Sequence, residues 1–130
     1  MAKRFLLDTH VVIDIGAAGG IEAMPVKVQR ILEDPDVDLL FSVISEAEVA
    51  IKSRLGRLEL NKDELALICT NASIISYPLR QPHADRLFEL PLHHRDPFDR
   101  LIISTALSDD LPLISRDKQF RKYKGLRVIW

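Results

Sequence analysis

Apolar residues in this chain come in two patterns. In one they form short uninterrupted runs: Phe5-Leu6-Leu7, Leu39-Leu40-Phe41-Ser42-Val43, Ser73-Ile74-Ile75-Ser76-Tyr77, Pro112-Leu113-Ile114-Ser115 and Leu126-Arg127-Val128-Ile129-Trp130. Runs this short, with only weak alternation, read as strands buried on both faces. In the other pattern apolar residues recur at helical spacing. A helix is expected from Val11 to Ala18, stopped by Gly19-Gly20. A second runs from Val26 to Glu33, with Val28, Ile31 and Leu32 as its apolar side and Pro35 beyond its end. Ser45 opens a third, through about Arg54, and Asn61 caps a fourth, to about Asn71. Pro82 to Glu89 is a short helix. Asp96-Pro97 opens a strong one through Leu107, with proline at the first helical position, where a missing N–H costs nothing.

Strands alternating with helices predict a parallel sheet covered on both faces and right-handed crossovers, a Rossmann-like α/β sandwich. A length of 130 residues suits a single domain spanning residues 1–130. In such folds sites form beyond the carboxyl ends of the strands. Asp8 directly follows the first strand, and Asp117 follows the fourth in Leu113-Ile114-Ser115-Arg116-Asp117. Glu48 is expected in the first turn of the helix after the second strand. Asp99 falls in the first turn of the helix leading into the fourth strand, which runs antiparallel to it. All four acids therefore reach one rim, and Asp8 and Asp117 face each other if the first and fourth strands are neighbours.

Four gathered carboxylates repel one another and raise each other's pKa, a cost that a hard divalent cation relieves. Oxygen-only ligands favour Mg²⁺ or Mn²⁺ over zinc. Such a site generates hydroxide from bound water and clamps a phosphodiester, and needs neither histidine nor cysteine. Each acid also has a plainer use. Glu48 stands three residues after Ser45 and Asp99 three after Asp96, both at capping-box spacing. Asp8 and Asp117 each precede a helix start and could cap it. Capping explains each position singly but not the shared rim.

Composition narrows the field. The formal net charge is −1, so global charge does not indicate a nucleic-acid binder. Its distribution is uneven: residues 1–94 hold 10 Lys/Arg against 14 Asp/Glu, and residues 95–130 hold 8 against 5. The run Arg116-Asp117-Lys118-Gln119-Phe120-Arg121-Lys122-Tyr123-Lys124 is locally basic and could meet phosphates. The single cysteine, Cys69, lies in an apolar stretch and excludes an intramolecular disulfide or a thiolate metal site. No run is long enough for a membrane span, and the N-terminal apolar run is too short for a signal peptide, so a cytoplasmic protein without membrane contact is expected.

Four ordered motifs carry a family resemblance. Leu6-Leu7-Asp8-Thr9-His10 resembles the opening motif of PIN domains. Ser42-Val43-Ile44-Ser45-Glu46-Ala47-Glu48-Val49-Ala50-Ile51-Lys52 is similar to the second, with Gly56-Arg57-Leu58 after it. His94-Arg95-Asp96-Pro97-Phe98-Asp99-Arg100-Leu101-Ile102-Ile103 resembles the third motif of a VapC-like subgroup, and Leu113 to Asp117 the fourth. The resemblance spans nearly the whole chain. It implies a PIN-like three-layer α/β/α sandwich with a central, mostly parallel five-stranded sheet. It also implies Mg²⁺- or Mn²⁺-dependent endoribonuclease activity leaving 5′-phosphate and 3′-hydroxyl ends, as in the toxin of a type II VapBC-type toxin–antitoxin pair. Asp8, Glu48, Asp99 and Asp117 would be the catalytic, metal-binding acids. Thr9 and Ser115 would orient the acids or a metal-bound water, and Asp96 would be a fifth acid or only a helix cap. The implied partners are an RNA substrate, a cognate antitoxin lying across the acidic groove and a second copy of the chain in a homodimer.

Two features depart from the pattern. Ala47 stands where the family often has an aromatic, and Glu46 is a rival to Glu48. Two residues turn a helix by roughly 200°, so only one of them faces the site. Glu48 is the choice, because Lys52 follows at i+4, although that pair is also an ordinary helix contact. Lys52, Arg95, Arg100, Arg116 and Lys118 are candidates to hold RNA phosphates, with surface ion pairs as the alternative use. His93 and His94 read as loop residues without companion ligands, and Tyr123 as a packed side chain or a stacking platform. The alternatives are a PIN nuclease of RNA processing, a non-catalytic PIN scaffold and a receiver-like signalling domain. The last fits poorly, since the third run ends at Tyr77 without an acid.

Overall fold

The computed structural model describes residues 3–130. Five strands form one sheet: β1 (Lys3–Leu7), β2 (Val37–Ser42), β3 (Ile74–Tyr77), β4 (Leu113–Ile114) and β5 (Val128–Ile129). Their order is β3-β2-β1-β4-β5, and every pairing is parallel. Receiver-like domains have the order 2-1-3-4-5 instead. Here the connection out of β1 goes to one side and the chain later returns to the other, so strand order reverses between β1 and β4. In the register Leu6 lies opposite both Leu40 and Leu113, and Leu7 opposite Ile114.

Period-two alternation along the central strands divides the core. Phe5, Leu7, Leu39, Phe41 and Ile114 face one layer, formed by helices α1 (Thr9–Ile15), α2 (Val26–Glu33), α3 (Val43–Arg54) and α4 (Lys62–Asn71). Leu6, Leu40 and Leu113 face the other, where α6 (Pro97–Ser108) supplies Ile102, Ile103 and Ala106 beside Phe120 and α5 (Gln81–Asp85) packs against α6. Leu6, Leu7, Leu113 and Ile114 are completely buried. Each contributes about 1.5–3 kcal/mol of transfer free energy, and together they anchor the strand ends that carry Asp8 and Asp117. Among the described residues no helix is long and apolar enough to cross a membrane.

Several boundaries differ from the sequence expectation, each for a local reason. The first helix ends at Ile15 rather than Ala18. The chain then turns through Gly19 and Gly20, both at positive φ, into a 3₁₀ turn, Gly20–Ala23. The short helix expected from Pro82 to Glu89 is α5 followed by a 3₁₀ turn, Arg86–Phe88. Residues Lys118–Lys122 also form a 3₁₀ turn. The helix after β2 begins at Val43 rather than Ser45, because the Ser42 hydroxyl accepts from the Ile44 N–H and caps it. Glu48 therefore lies in the second turn, and the Ser45–Glu48 capping box does not form: Ser45 Oγ is buried without a hydrogen-bond partner. The expected Asn61 cap does form. Its side chain accepts from Glu64 N at 2.9 Å, and Glu64 Oε1 accepts from Asn61 N at 3.2 Å.

Candidate metal centre

The edge of the sheet where β1 and β4 end is the point where strand order reverses, and the acids collect there. Asp8 leaves β1 at the N-cap position of α1 but makes no side-chain cap bond. Its Oδ2 accepts from the Ser115 hydroxyl at 2.8 Å. Its Oδ1 is buried with no partner. Glu48, on α3, accepts from the Thr9 hydroxyl at 2.7 Å through Oε1 and from Lys52 Nζ at 2.7 Å through Oε2. Asp8, Thr9, Glu48 and Ser115 are all buried.

Asp99 and Asp117 stand further out. Asp96 caps α6, its Oδ1 accepting from Phe98 N at 2.9 Å, which leaves Asp99 in the first turn as expected. Asp117 makes its anticipated cap and also faces His94. Its Oδ1 accepts from Gln119 N and caps the 3₁₀ turn. Its Oδ2 faces His94 Nε2 at 3.3 Å, and Asp99 Oδ2 faces the same nitrogen at 3.0 Å. His94, read from the sequence as a loop residue without companions, thus joins Asp99 and Asp117 in one cluster of potential ligand atoms within 4.8 Å. No spacing in the sequence announces this, because its partners Asp99 and Asp117 arrive from α6 and from beyond β4.

The electrostatics follow from this crowding. Burial, then the neighbouring Asp8, Asp96, Glu48 and Asp117, push the Asp99 carboxyl up to about 8. Burial also raises Asp8, partly opposed by the Ser115 hydroxyl. Glu48 beside it raises the Lys52 ammonium. With the Lys52 ammonium set against four gathered carboxylates, and one buried oxygen orphaned, the cluster is short of positive charge. Its oxygen donors suit a hard divalent cation of the Mg²⁺ or Mn²⁺ type. The residues present fit such an ion.

The other candidates separate clearly. Glu46 is exposed and lines a groove between α3 and α4, away from the acids. Lys52 is committed to Glu48. Arg100 forms neither a surface ion pair nor an open phosphate contact. Its guanidinium donates to the carbonyls of Leu90, Pro91 and His94 at 3.1, 2.9 and 3.2 Å, clamping the loop before α6. Arg116 pairs with Asp14 at 3.1 Å but is more than half exposed, and Arg95 and Lys118 are exposed. Tyr123 is buried, its hydroxyl donating to Pro91 O and accepting from His94 N, so it packs rather than stacks.

An α/β sandwich with a carboxylate cluster at its strand-order reversal is the class this geometry defines. The sequence profile of the PIN domain matches residues 5–126, and the chain belongs to that family. No curated protein sequence matches it. Among solved structures, the fold is similar to VapBC2 from Rickettsia felis bound to a promoter DNA fragment, with TM-score 0.72, 13% identity and 97% of each chain covered. It is similar to DNA-bound VapBC from Salmonella typhimurium, with TM-score 0.68, 18% identity and 99% and 98% of the two chains covered. It also resembles VapBC-5, a toxin–antitoxin system of Mycobacterium tuberculosis, with TM-score 0.61, 20% identity and 97% of each chain covered.

Proposed function

We propose that this chain is a divalent-metal-dependent endoribonuclease, the toxin of a VapBC-type toxin–antitoxin pair. The observation that carries the reading is the convergence of Asp8, Glu48, Asp99 and Asp117 from four separate elements onto one sheet edge, with Asp8 Oδ1 buried and unpartnered. The family match and the VapBC structural neighbours support it.

In this reading Asp8, Glu48, Asp99 and Asp117 would hold Mg²⁺ or Mn²⁺. When bound, the ion supplies Lewis acidity and a water nucleophile at neutral pH, so that no histidine or cysteine nucleophile is needed. The chain's own residues prepare the place. Ser115 fixes the Asp8 carboxylate, and Thr9 with Lys52 fixes Glu48, so two acids are oriented before anything binds. Asp96 sets the start of α6 and hence the position of Asp99. Arg95, Arg116 and Lys118, exposed beside the acids in sequence, are the side chains left to meet RNA phosphates. The partner would be an antitoxin that lays a basic side chain among the acids, and the toxin would pair with a second copy of itself.

The test is cleavage of a defined structured RNA by protein freed of any copurifying partner, compared in Mg²⁺, Mn²⁺ and EDTA, with Asp8→Asn in parallel. The expected result is metal-dependent cutting to 5′-phosphate ends, abolished in the variant. Equal cutting by Asp8→Asn, or cutting undiminished in EDTA, overturns the reading.

A further inference from the structure

His94 sits at the centre of the outer acids, and the four-carboxylate set does not account for it. Its placement is heavily determined. The backbone N–H donates to Tyr123 Oη at 2.9 Å, and the carbonyl accepts from Arg100 at 3.2 Å. The ring lies 5.4 Å from that of Phe120, tilted by 31°. Its Nδ1 accepts from the Asp96 N–H at 3.2 Å. The side chain is only 12% exposed.

The Asp96 N–H decides where the imidazole keeps its proton. A ring nitrogen that accepts an N–H carries none itself, so the neutral ring holds its proton on Nε2. That proton points at Asp99 Oδ2 and Asp117 Oδ2. A metal-ligating histidine presents a lone pair to the ion, with its other nitrogen donating outward. Here the outward nitrogen is the acceptor. To ligate, His94 would have to move its proton to Nδ1 and bring it against the Asp96 N–H. Although the three side chains have the spacing of a metal site, His94 is built as a donor.

We propose that His94 is a positioning residue that holds the metal site in its unloaded state: its Nε2–H bridges Asp99 and Asp117 and is displaced when a divalent cation takes those oxygens. This rests on the metal-dependent reading above. The histidine then competes with the ion and sets how readily the site loads.

The experiment combines Mg²⁺ titration calorimetry with ¹⁵N NMR of the histidine rings, on the full chain and on His94→Ala, His94→Gln and Asp99→Asn. In the metal-free wild type, Nδ1 of His94 should show the shift of an unprotonated nitrogen and Nε2 that of a protonated one. This pattern should persist at saturating Mg²⁺. His94→Ala should bind Mg²⁺ more tightly, on the order of tenfold, the equivalent of one charge-assisted hydrogen bond. His94→Gln, which restores an N–H donor, should fall back toward wild type. A proton on Nδ1 at saturating Mg²⁺, or weaker or unchanged Mg²⁺ binding by folded His94→Ala, overturns the inference and leaves the metal reading standing. No Mg²⁺ binding by the wild type, matched by Asp99→Asn, overturns the metal reading and the displacement with it. The ring shifts of the wild type need no variant and decide the tautomer even if His94→Ala fails to fold.

Discussion

The inner acids, Asp8 and Glu48, and the outer acids, Asp99 and Asp117, are held in different ways. The inner pair is 2% exposed and anchored by donors that are themselves buried or close by: the Ser115 and Thr9 hydroxyls and the Lys52 ammonium. The outer pair has side chains 16% and 37% exposed and shares one imidazole N–H. The hydroxyls at β1's exit and β4's end are buried with the core, whereas the outer acids stand partly open to solvent. A carboxylate site can thus combine a permanent half with a provisional half. On the metal-dependent reading, the permanent half would fix where an ion goes and the provisional half when the site closes round it.

The most severe way to break this comparison is to remove a charge from either half. Asp8→Asn and Asp99→Asn are each expected to lower RNA cleavage by about three orders of magnitude or more, the scale of the several kcal/mol that a bound metal supplies, with the circular dichroism spectrum unchanged. Retention of more than about a tenth of the activity by either variant would show that its half is dispensable.

The halves should also differ with pH. In the metal-free fold Asp99 keeps its proton up to about 8, against an ordinary value of 3.8. The folded state then binds one more proton than the unfolded chain in that window. Stability is therefore greatest at the acid end and falls as pH rises from about 4 to about 8. Thermal melts across this range should show the decline in the wild type and a flatter profile in Asp99→Asn, which melts higher at pH 8. Equal slopes in the two proteins would refute the assignment.

Smaller effects sharpen the contrast. Thr9→Val leaves Glu48 short of a buried donor and should cost about 1–3 kcal/mol in urea unfolding. Arg100→Met strands three loop carbonyls and should cost about 2 kcal/mol. Arg100→Lys should recover little of that, since one ammonium cannot span the carbonyls that a planar fork reaches. The smallest change is expected from Asp117→Asn. Asparagine caps as well as aspartate, and the site is half open, so stability should move by less than about 1 kcal/mol. A larger loss there than for Thr9→Val would reverse the distinction between permanent and provisional halves.

Much of this architecture was legible in the sequence because it rests on local rules. Unbroken apolar runs marked the strands, Asn61 and Asp96 announced their helices, and the acids fell at strand ends and near helix starts that share an edge. What was not legible depended on competition between neighbours. Both Ser42 and Ser45 are good caps, and only the end of the β2–β3 pairing, Ser42 opposite Tyr77, selects Ser42. Arg100 looks like a surface cation, and only the folded loop brings three carbonyls to it. His94 has no periodic partner, because its partners arrive from α6, from beyond β4 and from the 3₁₀ turn at Phe120. Glu48 and Lys52 show the reverse case, a one-turn pairing that sequence spacing alone reveals.

The Arg100 clamp has a consequence for anyone exchanging parts between relatives. Residues 90–100 form a unit in which the helix start, the loop ahead of it and the histidine are tied by Arg100 from within and by Tyr123 and Phe120 from outside. A chimera that cuts inside this stretch separates the guanidinium from the carbonyls it was matched to. One that carries residues 90–100 together with 117–123 transfers the outer half of the site, Asp117 included, as one cassette, ready to meet whatever inner half the recipient provides.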